Sequence, residues 1–545
     1  MERQRHSKKG WVFSSVLLCC LALSQAWGWA QQSAPSNRNA DAAYESGMQL
    51  VRAQQYSRAL AQFKRVEKEA PRLPQGYTGE GITLALMGRP QDAIVRLKKA
   101  LEIDSSFWVA RRELGIIEWQ MGSKDEAANE LRSIEKLFPN DPPVAAILGE
   151  YDFDRGRYPE ASNEFSRAAD QVATSTPLSL MWAESLLKTG NQKAAAAKLE
   201  LLCLVPNLTP DQRLKLGWLL GEAGDYPKAV EVFNSLPESS PHPFQRGYGL
   251  ALAYYNLGRY ADCARKLAEL QSRKIVGPEL FSLLGAAEEG MGNTLRAYDA
   301  FRQGIYEFPH DDENYLNIAT LSVQHFNYSV ATQVLTSGIQ EIPNDNRLFL
   351  TRGVIYTLQE KLQQAQDDYE RALKLAPEKE GVYVALGICL MDEDEYVQAQ
   401  RVLEKGIARG LRDVLLNYFL ADALFRQGIT ANSPRYAQAF KVVQTALKID
   451  PDFAYAYMQR GRLELVDKKI DAAVADLERA RSLEPGSRVI LYQLAVTYER
   501  AGKKAEADKL FASVSQASQE EEAHFRKGRL VEIMTTVSQP RVVEP

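Results

Sequence analysis

At 545 residues the chain is too long for one ordinary hydrophobic core, so several cores or an open-ended architecture are required. A hydrophobic share of 45% and a charged share of 25% are those of a folded soluble protein. The net charge of −4 leaves no basic excess to neutralise phosphates, which argues against a nucleic-acid partner.

Residues 1–30 read as a secretory signal. Arg3, Arg5, Lys8 and Lys9 form a basic start, and Trp11 to Leu23 is an apolar run broken by Ser14 and Ser15. Small residues follow at Ser24/Ala26 and at Gly28/Ala30, either pair fitting cleavage. The run of 13 residues is shorter than the ~20 that a membrane-spanning helix needs, so an uncleaved anchor is the alternative rather than the expectation. Cleavage takes away four basic groups and one acid, lowering the net charge from −4 to −7. The chain is therefore expected to be exported, periplasmic or extracellular. Residues 31–40 are polar and without periodicity, and read as a linker.

From residue 40 a fixed period takes over. Alanine stands at 59, 93, 127, 161, 195 and 229, then Cys263, then alanine again at 297, 331, 365 and 399. One step of 40 residues reaches Ala439, and the 34-residue period resumes at Ala473 and Ala507. A repeat of this length is the signature of a solenoid, whose units pack only on their neighbours and which needs no single core. Within a unit such as 76–104, Tyr77, Gly81 and Leu84 form one helical stripe, Gly88-Arg89-Pro90 breaks it, and Ala93, Leu97 and Ala100 form a second. Each unit is thus expected to be two antiparallel helices joined by a tight turn.

Four positions carry the packing. The eighth is always small (Gly47, Gly81, Gly115, Gly149, Ala183, Gly217), and so is the twentieth, which is the alanine ladder. Small residues at both let the two helices cross closely. The twenty-fourth is large and apolar (Phe63, Phe165, Phe233, Phe301, Tyr369, Phe511) and is expected to fill the space between hairpins. The thirty-second is often proline (Pro71, Pro139, Pro241, Pro309, Pro343, Pro377), which cannot continue a helix and turns the chain into the next unit.

On these residues, for example Phe349, Gly353, Tyr356, Ala365, Tyr369, Ala372 and Pro377, the chain resembles the tetratricopeptide-repeat family. The resemblance covers residues 40–514 as fourteen units and implies an all-α, right-handed superhelical solenoid. Arg352 and Arg460 depart from it, standing where leucine is usual, and are expected to loosen the local fit. A six-residue insertion near 428–434 falls in the turn of the twelfth unit. Residues 515–533, with a sparse apolar stripe at Phe525 and Leu530, suit a capping helix whose outer face meets water, and 534–545 read as a disordered tail. Cys203, Cys263 and Cys389 read as buried core thiols.

Chemistry is sparse. His242, His310, His325 and His524 have no zinc-like spacing with Cys, Asp or Glu, and the acidic pair Asp392/Asp394 reads as solvated turn charge. No phosphate-binding glycine loop, dinucleotide fingerprint or nucleophile elbow occurs, so no catalytic residue, metal or cofactor is expected.

What remains is a surface. The resemblance implies a concave face lined by the first helix of each unit, with contacts at the second, fifth, ninth, twelfth and thirteenth positions. Transferred to this chain, these include Trp119, Glu150, Phe153, Glu184, Trp218, Tyr248, Tyr255 and Phe425. Aromatic side chains not needed for packing bury much area at small entropic cost and are interface material. Neither the two-carboxylate clamp of chaperone-binding members nor the asparagine ladder of sugar-transferase arrays is present. The face is aromatic and acidic in units three to eight, and more basic at Arg426, Arg462 and Arg500. The expectation is a non-catalytic exported scaffold that binds protein or peptide segments, suited to envelope or secretion-related assembly. A glycan-binding accessory of polysaccharide or cell-envelope assembly, using the same aromatics, is the alternative.

Overall fold

The computed structural model describes residues 38–135, 137, 141–514 and 518–537. Residues 1–30, most of the 31–40 linker, Pro139 and the end of the chain from 538 lie outside the described residues. The described residues form thirty helices and no strand. Twenty-eight pair into fourteen antiparallel hairpins, from Arg38–Arg52 with Tyr56–Glu69 to Arg488–Arg500 with Lys504–Ser513. The other two are a five-residue helix at Ala169–Ala173 and a final helix at Ser518–Val537. They divide into two compact units between His242 and Pro243, the first holding hairpins one to six and the second hairpins seven to fourteen with the final helix. Each unit is a stack of hairpins, a solenoid.

The ladder is the seam of every hairpin: all fourteen of its residues are no more than 1% exposed. The eighth and twenty-fourth positions form a hole and a knob within one hairpin. A Cβ on Gly149 would lie 2.7 Å from the Phe165 ring, and one on Gly353 would lie 2.7 Å from the Tyr369 ring. The large residue thus seats on the eighth residue of its own hairpin and also reaches the next hairpin, as expected: the Phe63 ring closes on both Gly47 and Gly79. Glycine lies opposite the aromatic knob at Gly47/Phe63, Gly217/Phe233 and Gly285/Phe301, while Phe511 has Ala495 at that position.

Thirteen hairpins turn in three residues, and the twelfth, carrying the insertion, turns in seven (427–433). There Ile429 packs on the core, and Ser433 accepts a bond from the Tyr436 amide to start the next helix. The fifteenth residue of every hairpin has a left-handed backbone. Glycine fills it in nine, at no steric cost, but Gln54, Phe326, Glu360, Asp394 and Lys468 adopt the same φ of 57–61° with a side chain. Between hairpins, tyrosine at the fourth position locks the proline turn. The hydroxyls of Tyr315, Tyr383 and Tyr457 donate to the carbonyls of Pro309, Pro377 and Pro451, each at 3.1 Å.

Arg352 and Arg460 do not loosen the fit. Each reaches sixteen residues ahead to a carboxylate on the second helix of its own hairpin, Arg352 to Asp368 at 2.7 Å and Arg460 to Asp476 at 2.6 Å. Glu80 and Arg96 make the same pair with the charges exchanged, and Arg96 also meets Glu67 of the preceding hairpin at 3.0 Å. Cys263 and Cys389 are buried but Cys203, at the end of its helix, is exposed, a second correction; all three are free thiols.

Both chain-end boundaries shift. The first helix starts at Arg38, inside the stretch read as linker, because Ala40, Ala43 and Tyr44 are buried, Tyr44 edge-on to Phe63. The final helix continues to Val537, past the boundary at 533, because Met534 is fully buried and Arg347 donates to the Val537 carbonyl at 3.1 Å.

Candidate functional site: two faces built from first helices

In the first unit the predicted contact residues gather around two lysines that the sequence reading did not single out. Lys124, which opens the second helix of hairpin three (Lys124–Glu135), sits 5.0 Å from the centre of the Trp119 ring and 2.5 Å from Asp154 of the next hairpin. Glu150, one turn before Asp154, is half-buried. Burial pushes its carboxyl up, Lys124 pulls it down, and Asp154 pushes it up again. Lys215, on the first helix of hairpin six (Pro210–Glu222), lies 5.3 Å from the Phe153 ring centre and 2.7 Å from Glu184. It therefore joins hairpins four, five and six at one point. Lys188 reaches Glu222 one repeat on at 3.0 Å. Opposite charges about one repeat apart, as in Lys215 with Glu184 and Lys188 with Glu222 on first helices, were the available signal, whereas Lys124 lies on a second helix.

Two predicted contacts are packing residues. Trp218 is 8% exposed and meets Phe233 edge-on at 5.9 Å, so its ring closes the hairpin rather than the face. Tyr248 is 1% exposed and stacks on Phe244 at 5.6 Å, and burial drives its phenol well above the usual tyrosine range. Tyr255 is half-buried, its ring 5.3 Å from that of Tyr260.

In the second unit the corresponding face of hairpins ten to fourteen is covered by the final helix. That helix runs against the order of the hairpins, its start at hairpin fourteen and its end at hairpin ten. The Glu521 carboxylate accepts from the Arg488 amide at 3.0 Å, at the start of the first helix of hairpin fourteen. Glu522 meets Arg426 at 2.5 Å and Arg462 at 3.8 Å, and both arginines also bond Asp422. Phe525 stacks on Tyr455 with ring centres 3.9 Å apart and meets Tyr418 edge-on at 5.8 Å. Phe425, the last predicted contact, is half-buried beside this cluster under the Arg462 guanidinium, 4.3 Å from its ring centre. Arg526 pairs with Asp392 at 2.7 Å, so Asp392 is an ion-pair partner and not a solvated turn charge. Leu530 and Met534 are fully buried, and a Cβ on Gly381 would come within 3.3 Å of Ile533. The apolar stripe of the final helix therefore faces inward along its length, a correction to the capping role read from the sequence.

Sequence models of the tetratricopeptide repeat match residues 84–151, 356–423, 214–270 and 490–517. These segments lie in hairpins two to four, ten to twelve, six and seven, and fourteen. The chain is a tetratricopeptide-repeat protein.

Among curated relatives of this tetratricopeptide-repeat protein, intraflagellar transport protein 70A of Danio rerio is 25% identical over 266 residues, 48% of this chain and 39% of the relative. The human DnaJ homolog subfamily C member 7 is 21% identical over 379 residues, 68% of this chain and 67% of the relative. The chain thus spans about two fifths of the intraflagellar relative and two thirds of the human one. Among solved structures, yeast Tom70 matches 89% of this chain and 100% of its own at 14% identity, with a TM-score of 0.39. Among the described residues no helix is long and apolar enough to cross a membrane, and no three His, Cys, Asp or Glu side chains are grouped to hold a metal.

Proposed function

We propose that this tetratricopeptide-repeat protein is a non-catalytic, exported scaffold that binds protein segments along the first helices of hairpins three to five. The observation that carries the reading is the Trp119–Lys124–Asp154 and Phe153–Lys215–Glu184 pair of clusters, with Glu150 between them. Glu150 is a half-buried carboxylate with no ion pair among the described residues, only partly offset by Lys124. A lysine or arginine on a partner segment would complete its neutralisation, while neighbouring apolar side chains meet the partly exposed rings.

An array of immobilised peptides probed with the chain from residue 31 tests this. Peptides with a basic residue flanked by apolar ones should be retained, and Trp119→Ala/Phe153→Ala or Glu150→Gln should weaken them roughly ten-fold. Equal retention by variants with unchanged thermal unfolding contradicts the reading. Neutral glycans held by wild type and by Glu150→Gln, but lost with Trp119→Ala, would replace it with the glycan accessory. Export rests on the basic start and apolar run of residues 1–30. A mature N-terminus following Ala26 or Ala30 supports it, and an intact Met1 on the recovered protein contradicts cleavage.

A further inference from the structure

The face of hairpins ten to fourteen differs from that of hairpins three to five in already holding a ligand, the protein's own final helix. What the helix contributes defines what this face recognises. Leaving out Glu522, the centre of the face presents two guanidinium groups, Arg426 and Arg462, to the one carboxylate of Asp422. With the final helix in place the two side chains are only 24% and 13% exposed, so a carboxylate that offsets the second guanidinium is what an occupant of this face must bring. Beside it, Tyr418 and Tyr455 form a slot that takes one aromatic ring. Asp392 takes a cation, and the surface beyond Gly381 takes aliphatic side chains. The occupant meets these with Glu522, then Phe525 three residues on, Arg526 four on, Leu530 eight on and Met534 twelve on, all on one face of a helix.

We propose that hairpins ten to fourteen are a binding site for an amphipathic helix of a partner protein with this acidic, aromatic, basic and aliphatic spacing, and that Ser518–Val537 holds the site closed until such a helix displaces it. The packing devices within the hairpins do not draw on the final helix, whose Leu530 and Met534 extend their core. The ladder, the glycine holes and the tyrosine–proline locks all close within the repeats, and the helix touches the array at positions of the second, fifth, ninth and thirteenth kind (Arg347, Tyr418, Arg462 and Arg426). Its hold combines the stacked Phe525 and the buried Leu530 and Met534 with the ion pairs of Glu522 and Arg526, and salt weakens the latter part. The helix follows the last hairpin directly in sequence, so it binds at high effective concentration, and a partner must bring either comparable contacts or more of them.

The test uses the full chain, wild type and Glu522→Lys/Phe525→Ala, with a fluorescent peptide of residues 518–537 as probe. The variant should bind the peptide roughly ten-fold more tightly than wild type does, because its own helix no longer fills the site. Binding should fall as sodium chloride rises from about 50 to about 500 mM, and a Glu522→Lys peptide should bind roughly ten-fold more weakly. A variant with wild-type helix content and unfolding temperature that fails to bind the peptide overturns the proposal. If the variant does not fold, amide exchange in the wild-type chain decides. Residues 518–537 should exchange roughly ten-fold faster than Asn346–Leu358 and Val414–Arg426, and exchange at the same rate would mean that the helix opens only when the hairpins unfold.

Discussion

Glu67 shows how a single side chain makes the seam between two hairpins depend on pH. Burial pushes its carboxyl up to about 8, Glu80 adds to the effect, and Arg96 opposes it. A carboxyl whose pKa rises on folding stabilises the fold in its protonated form. Its contribution is complete below the unfolded value and is lost as pH climbs through about 8. Glu67→Gln should therefore leave the unfolding temperature at pH 5 almost unchanged and raise it at pH 9 by roughly 2–4 °C. A larger gain at pH 5 than at pH 9 would reverse the assigned sign. Phe326 strains a turn within a hairpin: 80% exposed, it holds a left-handed φ of 57° that nine equivalent turns give to glycine. Phe326→Gly should stabilise by up to about 1 kcal/mol, the relieved strain exceeding the added entropy of the unfolded chain. Denaturant unfolding with an unchanged or lower midpoint would show that the strain is absent.

Between two helices, the sixteen-residue spacing matters more than the identity of either partner. Glycine opposite an aromatic knob and arginine opposite a carboxylate both obey it, and both are legible once the period is known. Arg352, measured against the family's leucine, looked like a defect because the compensating Asp368 lies on the other helix of the hairpin. Arg352→Leu alone should destabilise by roughly 3 kcal/mol by leaving Asp368 with no cation, whereas Arg352→Leu/Asp368→Leu should come within about 1 kcal/mol of wild type. A double variant whose loss equals the sum of the single losses would mean that the two side chains act independently.

For the molecule as a whole, a period repeated in phase made the hairpins readable, because each depends on contacts no farther than the next repeat. The placement of the final helix was not readable. Its stripe at Phe525 and Leu530 was visible, but the partners lie up to 190 residues earlier, at Arg347, and no local pattern encodes such a pairing. The burial of Trp218 and Tyr248 was unreadable for a related reason. Their repeat positions favour the open face, yet Phe233 and Phe244 offered each ring a closer aromatic partner. The lysines of the first unit's face were not legible from the contact positions, because Lys124 lies just past the turn, outside the first helix, and Lys215 stands at a sixth position.

The central claim is that a partner segment lies along the first helices of hairpins three to five. A photo-cross-linking phenylalanine analogue placed at Phe153, and separately at Tyr306, which is 84% exposed on a second helix, tests it in the producing cell. The account predicts a discrete adduct from position 153 that disappears with Glu150→Gln, and none from 306. Adducts from 306 with none from 153 would contradict it.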